Sequence, residues 1–227
     1  MTKLNGPVHF VETMPTHSTA ALPDPPTQQR KRRQVLDAAA GLFMAQGYGA
    51  TSMDAVARAA GVSKATLYAY FAGKDELFAA IVGEACSRHA EASGGAHGED
   101  EADLRAALVA IGRSYLAFLF RDDVMAIYRV VMAEGPRFPE LGHAFFQSGP
   151  RKIIAWLSGW MAERQAQGAL SEGEPEMMAE QFLALLRTSG FMRRILGLPE
   201  VEPGIARTVD AAVGTFLGAF SAAGQRP

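Results

Sequence analysis

Few residues in this sequence have the type and spacing that catalysis requires. Of its five histidines, His9 and His17 lie in a proline-rich beginning and His97 in a glycine-rich stretch. His89 lies at the end of a helical segment, and only His143 belongs to the apolar second half. Glu140 and His143 have the Glu-x-x-His spacing of one arm of a di-iron helical bundle, but such a site needs a second arm and further glutamates, and no second copy occurs. Asp122-Asp123 beside Arg121 reads as a helix start rather than a magnesium site. Neither a phosphate-cradling glycine loop nor a nucleophile elbow is visible, so an enzyme is not expected, and no cofactor or metal is implied. The single cysteine, Cys86, rules out an intramolecular disulfide framework. It fits a reducing cytoplasm and reads as a small buried residue. Polar chemistry concentrates elsewhere. Between Gln28 and Phe78, seven basic residues (Arg30, Lys31, Arg32, Arg33, Arg58, Lys64, Lys74) face four acidic ones (Asp37, Asp54, Asp75, Glu76). The rest of the chain holds 15 basic and 20 acidic residues, and the whole carries −2. A short positive region on an acidic body suggests a polyanion partner for that region alone.

The elements that must hold these groups read as helices. With 48% hydrophobic and 20% charged residues, the composition is that of a soluble globular protein. No stretch of 18 or more uncharged apolar residues occurs, so no membrane span is expected. Glu12 and the prolines interrupt any secretory pattern, which points to the cytoplasm. Residues 1–27 contain Pro7, Pro15, Pro23, Pro25 and Pro26 without a sustained period, the composition of a disordered tail. From Gln28 to Gln46, Val35, Leu36, Ala39, Leu42 and Phe43 recur at helical spacing, and Gly47 stands where a helix ends. Thr51 or Ser52 caps a second helix carrying Met53, Val56, Ala57 and Ala60 inward to Gly61. Ser63 caps a third, Lys64 to Tyr70. A fourth begins at Lys74 with Asp75 and Glu76 in its first turn, where carboxylates favour the helix dipole. Ser93-Gly94-Gly95-Ala96-His97-Gly98 lies in a linker placed at 91–101. Helical segments then follow at about 102–120, 122–134, 139–167, 174–196 and 203–222. The expectation is an all-α chain: a three-helix helix-turn-helix domain over 28–90, then a helical body over 102–222.

The pair of short helices joined by Ala59-Ala60-Gly61-Val62-Ser63 has the requirements of a helix-turn-helix. Ala55, Ala57, Ala59 and Ala60 permit close helix approach, and Gly61 tolerates positive φ. Val62, Leu67 and Phe71 anchor the second helix, whose start at Ser63 and Lys64 directs free N–H groups and a cation outward, as phosphate binding requires.

The literal run Gly61-Val62-Ser63-Lys64-Ala65-Thr66-Leu67-Tyr68-Ala69-Tyr70-Phe71-Ala72-Gly73-Lys74-Asp75-Glu76-Leu77 closely resembles the recognition-helix signature of the TetR family of bacterial regulators. Ala38 to Phe43, Gly47-Tyr48, Thr51-Ser52 and Met53 to Ala57 look like the rest of that family's N-terminal domain. One departure is Ala69, where members often carry a larger polar or aromatic residue. The resemblance implies a transcriptional regulator on a double-stranded DNA operator. Thr51 and Lys74 would hold phosphates, with Ser52 and Ser63 in the same DNA-facing set. Lys64, Ala65 and Thr66 would face major-groove edges, and Tyr68 and Tyr70 would bond phosphate or pack on thymine methyls. Arg30 to Arg33 could track the backbone.

The same resemblance implies a homodimer built from the last two helices and a ligand cavity in the C-terminal domain. One short recognition helix buries too little for useful affinity, which also favours a dimer. Candidate interface residues are Phe182, Leu185, Val213, Phe216, Leu217 and Phe220. The stretch Tyr128 to Leu141 resembles the C-terminal domain of an AcrR- or AefR-like branch, for which repression is the default. Tyr115, Phe118, Met125, Tyr128, Phe146 and Trp156 are candidate lining residues for a small apolar or amphipathic effector.

Overall fold

A computed structural model describes residues 26–92, 104–199 and 204–222. The proposed tail through residue 25 and most of the expected linker lie outside them. Among the described residues the chain is all-α, with eleven helices. They are α1 (Pro26–Gln46), α2 (Met53–Ala59), α3 (Lys64–Tyr70), α4 (Lys74–Ala92), α5 (Leu104–Leu119) and α6 (Asp122–Glu134). Then follow α7 (Pro139–Ser148), α8 (Pro150–Ala166), α9 (Pro175–Leu186), α10 (Ser189–Ile195) and α11 (Ile205–Phe220).

Three expectations need correction. Helix α1 takes in Pro26 and Thr27, which the sequence reading assigned to the tail; a proline fits a helix's first position because its missing N–H has no partner there. The helix expected over 139–167 is two. Pro150 cannot continue the hydrogen-bond ladder of α7 and disfavours helical geometry in the residue before it, so Gly149 breaks away at φ −121, ψ −85 and α8 starts afresh. The helix expected over 174–196 is also two, because Thr188 leaves helical geometry and caps α10 by accepting from the Gly190 N–H.

Two cores organise the bundle. The first gathers Val35, Leu36, Ala39 and Phe43 of α1, Met53 and Val56 of α2, Leu67 of α3, and Leu77, Phe78, Ile81 and Val82 of α4. It is completed from the other half of the chain by Ile127 of α6 and Leu141 of α7. The second core unites α5, α8, α9 and α11 around Leu108, Leu116, Leu157, Phe182, Val209 and Phe216, and it takes Ala85 from α4. Helix α4 therefore changes core between Val82 and Ala85, and a boundary at residue 90 falls inside a helix that both halves share.

Where the halves meet, the α1–α2 connection is held by one carboxylate. Glu134, the last residue of α6, accepts the N–H groups of Tyr48 and Gly49, each at 2.7 Å. Phe138 sets its ring against that of the buried Tyr48, 5.5 Å between centroids. Glycine is required on either side of Tyr48. Gly47 sits at φ +88, and a Cβ there would collide with the Glu134 carboxylate; one on Gly49 would stand 2.8 Å from the Phe138 ring. Hydrogen bonds to a charged group contribute roughly 1.5–3 kcal/mol each. Glu134→Ala is therefore expected to destabilise the protein by about 2 kcal/mol or more in urea unfolding. Glu134→Gln should lose less, because its amide keeps one acceptor. Equal stability of all three proteins would show that the clamp contributes nothing.

Candidate nucleic-acid interface and internal cavity

Helices α2 and α3 are each started by a serine. The Ser52 hydroxyl accepts the Ala55 N–H at 3.1 Å, and that of Ser63 accepts the Thr66 N–H at 3.0 Å. Gly61, at φ +63, makes the turn between them. Leu67 and Phe71 are buried beneath α3, so its outward residues are Lys64, Ala65, Tyr68 and Ala69, with Thr66 half-buried. Tyr68 is 51% exposed, which for an aromatic side chain with no core role leaves it available to a partner. Lys64 pairs with Asp54 at 2.5 Å on the exposed surface. Such a pair contributes little and can be exchanged for another anion. Tyr70 is half-buried, and its hydroxyl reaches the Gln28 carbonyl at 3.5 Å, which sets the basic start of α1 beside the end of α3. Within that start, Arg33 pairs with Glu84 and Arg32 lies over the Phe71 ring. Arg30 and Lys31 are exposed and form no ion pair among the described residues.

Two expected phosphate holders are placed otherwise. Thr51 is only 1% exposed; its hydroxyl donates to the Gly47 carbonyl at 2.8 Å and accepts from Gln46 at 3.1 Å, so it closes the α1–α2 connection from inside. Lys74 donates from Nζ to the Tyr48 carbonyl at 3.0 Å and lies over the Tyr48 and Phe138 rings at 4.5 and 5.8 Å. It belongs to the junction that Glu134 clamps. Burial pushes the Tyr48 phenol up to about 12, helped by the negative charges of Glu140 and Asp75.

A cavity of about 320 Å³ lies between α4, α5 and α8 and touches α9 at Leu183. Of the expected lining, Tyr115 and Phe118 are on its wall and Trp156, 40% exposed, is at its rim. Tyr128 lines a smaller adjoining pocket that shares Cys86, Phe118 and Ile153 with the first. Met125 and Phe146 need correction. Met125 is buried in the second core away from both spaces. Phe146 is 46% exposed on α7, because its neighbour Phe145 takes the inward position against Tyr128. The wall that sequence reasoning missed is α4, which supplies Gly83, Cys86, Ser87 and His89. The signal was present as Gly83, Cys86 and His89 at three-residue spacing, but it fell within a segment assigned to the first domain.

His89 stacks on Phe118 at 4.5 Å and shares a hydrogen bond with Ser114 at 3.1 Å. Arg187 donates from Nε to the Tyr115 hydroxyl at 2.6 Å. Burial raises the Tyr115 phenol to about 12, with the positive charge of Arg187 acting in the opposite direction. The Cys86 thiol is likewise pushed up by burial, against the opposing charge of Lys152.

The expected dimer residues divide. Phe182, Val213 and Phe216 are wholly inside the chain's own core, where Phe182 and Phe216 meet edge-on at 5.2 Å, so they cannot form an interface. Leu185, Leu217 and Phe220 are half-buried against the same core. The outward faces of α9 and α11 present Met177, Gln181 and Ala184, and Ala211, Thr215, Gly218 and Ala219. Sequence periodicity selected the inward stripe of each helix because large apolar residues mark both kinds of burial alike.

A short helix that is capped at its start, anchored from beneath and outward-facing, followed by a helical body with an apolar cavity, defines a helix-turn-helix regulator that binds DNA. Residues 35–81 match the family described as "Bacterial regulatory proteins, tetR family", and residues 106–222, just over half of the chain, match "AefR-like transcriptional repressor, C-terminal domain". The chain belongs to the TetR family of transcriptional regulators, a non-enzymatic class. Over 55 residues the chain is 44% identical to the transcriptional activator FasR of Mycolicibacterium smegmatis, covering 24% of this chain and 25% of that protein. The chain thus spans about a quarter of that relative's length. YvkB of Bacillus subtilis is 26% identical over 84% of this chain and 97% of its own length. The solved structure of the flavonoid-responsive regulator FrrA superposes with a TM-score of 0.73 at 37% identity, over 85% of this chain and 98% of FrrA. Among the described residues no helix is long and apolar enough to cross a membrane.

Because the Cys86 pKa lies above its ordinary value of 9.0, the residue is expected to remain a thiol near neutral pH. Iodoacetamide should alkylate it more slowly than it alkylates free cysteine, with the rate climbing as the medium turns alkaline. Alkylation at the free rate would mean that the thiol is not buried.

Proposed function

We propose that the protein is a homodimeric repressor released from its operator by a small apolar or amphipathic effector held between α4, α5 and α8. The observation that carries this reading is the double membership of α4. Its first half packs under the helix-turn-helix and its second half is a wall of the cavity. An occupant of the cavity therefore pushes on the same helix that supports the DNA-facing surface. A hundredfold drop in operator affinity requires about 2.7 kcal/mol of coupling between the two sites. The relationship to FrrA supports an effector with flat rings, and the description of the C-terminal family supports repression.

On DNA, Lys64, Ala65, Thr66 and Tyr68 are assigned to the major groove, and Ser52, Ser63, Tyr70, Arg30 and Lys31 to phosphates. Exchange of the Asp54 pair for a phosphate frees Lys64 at low cost. The outward small residues of α11, with Ala184 of α9, let two copies approach closely, and the dimer then sets two recognition helices about 34–36 Å apart.

A mobility-shift titration against the protein's own upstream region tests the DNA assignment. Wild-type binding should weaken with added salt. Lys31→Ala should lower affinity for all sequences alike and reduce the salt slope by about one. Tyr68→Ala should cost about 1–3 kcal/mol and relax discrimination at one base position. Salt-independent binding, or none, would sink the operator reading. For the dimer, Ala219→Arg should yield monomers by analytical ultracentrifugation and abolish tight binding; an unchanged dimer would remove α11 from the interface.

A further inference from the structure

We propose that the cavity selects aromatic anions, with the Lys152 ammonium as the group that reads the negative charge. This rests on the reading of the cavity as the effector site and specifies which effectors it accepts.

Among the described residues no carboxylate lines the cavity. Its polar groups are the hydroxyls of Ser87, Ser114 and Tyr115, the Cys86 thiol, the His89 ring and the Lys152 ammonium. An anion entering this space meets donors and one positive charge at its solvent-exposed rim, while a cation meets the same charge with no carboxylate among the described lining residues to offset it. Burial of an unpaired charge is costly, so the sign of the lining decides which ligand charge is tolerated.

The Lys152 side chain, exposed to solvent overall, also lines the cavity. Nζ lies across α4 at Gly83, where a Cβ would stand 3.9 Å from it, and its charge reaches the Cys86 thiol. Two cations nearby have carboxylate partners: Arg151 pairs with Glu176 on α9, and Arg33 with Glu84. Lys152 has none among the described residues. An ammonium without a counter-ion at the rim of an apolar space is suited to take one from a ligand.

The requirement for an aromatic body comes from the walls. His89 and Phe118 form a stacked pair at 4.5 Å on one side, and Trp156 edges the mouth on α8, one helical turn after Lys152. A flat ring system lies between these faces with favourable offset or edge contacts. Arg187 donates to Tyr115 and uses the hydroxyl as an acceptor, so the phenolic proton remains available to a ligand oxygen. At about 320 Å³ the space suits two fused or linked rings with one acidic group.

Isothermal titration of the full chain near neutral pH with three probes of one shape tests this: naphthalene-carboxylate, naphthalene-carboxamide and naphthylmethylammonium. Wild type should bind the carboxylate about fivefold more tightly than the amide, as a partly exposed ion pair allows, and the ammonium most weakly. Lys152→Met should weaken the carboxylate about fivefold while leaving the amide unchanged, and Lys152→Glu should invert the order. Equal binding of all three probes to wild type, or unchanged carboxylate binding by Lys152→Met, would overturn the charge selection and leave the cavity standing as a binding site. Failure of all three probes to bind would remove both readings.

Discussion

A backbone N–H that turns away from helical geometry must find another acceptor or remain in water. In the connection between α1 and α2, Tyr48 and Gly49 both find it in Glu134, which comes from the other half of the chain. The whole junction follows from that one carboxylate. It brings Phe138 against Tyr48, permits only glycine at 47, and places the Lys74 ammonium between two aromatic faces. Thr51 closes the same connection from within. The DNA-facing half is therefore not suspended from the body by α4 alone. It is held at two places, the shared helix and the clamped turn, and any change in the angle between α4 and α6 must be felt in the helix-turn-helix.

This arrangement redistributes the work of the charged residues. Lys74 contributes to the junction, while Arg30 and Lys31 at the start of α1 and the loosely paired Lys64 are among the exposed cations, with Arg33 and Arg58. Tyr70 ties that start to the end of α3, so the exposed cations and the outward residues of α3 belong to one surface. Electrostatic attraction at such a surface is general for polyanions, and the uncharged side chains of Ala65 and Tyr68, with the half-buried Thr66, stand beside it.

The cavity draws its chemistry from three helices that are remote in sequence. Helix α4 brings a thiol and an imidazole, α5 a phenol and a phenyl ring, and α8 an ammonium and an indole. Its connection to the junction is short. The adjoining pocket at Tyr128 borders α6, whose last residue is Glu134. The cavity and this adjoining pocket share Cys86, Phe118 and Ile153, so packed side chains connect the cavity wall to α6.

The amino-acid sequence by itself was enough for the all-α class, the cap at Ser63, a cap at Thr51 or Ser52, and the turn at Gly61. All of these are local: a hydroxyl reaches an N–H three residues away, and buried residues recur every three or four. It also determined that Tyr115, Phe118 and Trp156 stand among the aromatic residues from which a cavity could be built. Sequence could not distinguish Phe182 and Phe216, inside the core, from residues on an outer face, since both kinds of burial select the same side chains. Nor could it place Thr51 and Lys74 in the junction, or α4 on the cavity wall. Thr51 is turned inward by its neighbours Gly47 and Gln46, whereas the places of Lys74 and of α4 depend on Phe138 and Lys152, which lie sixty or more residues away along the chain, and distance in sequence carries no information about proximity until the helices have packed.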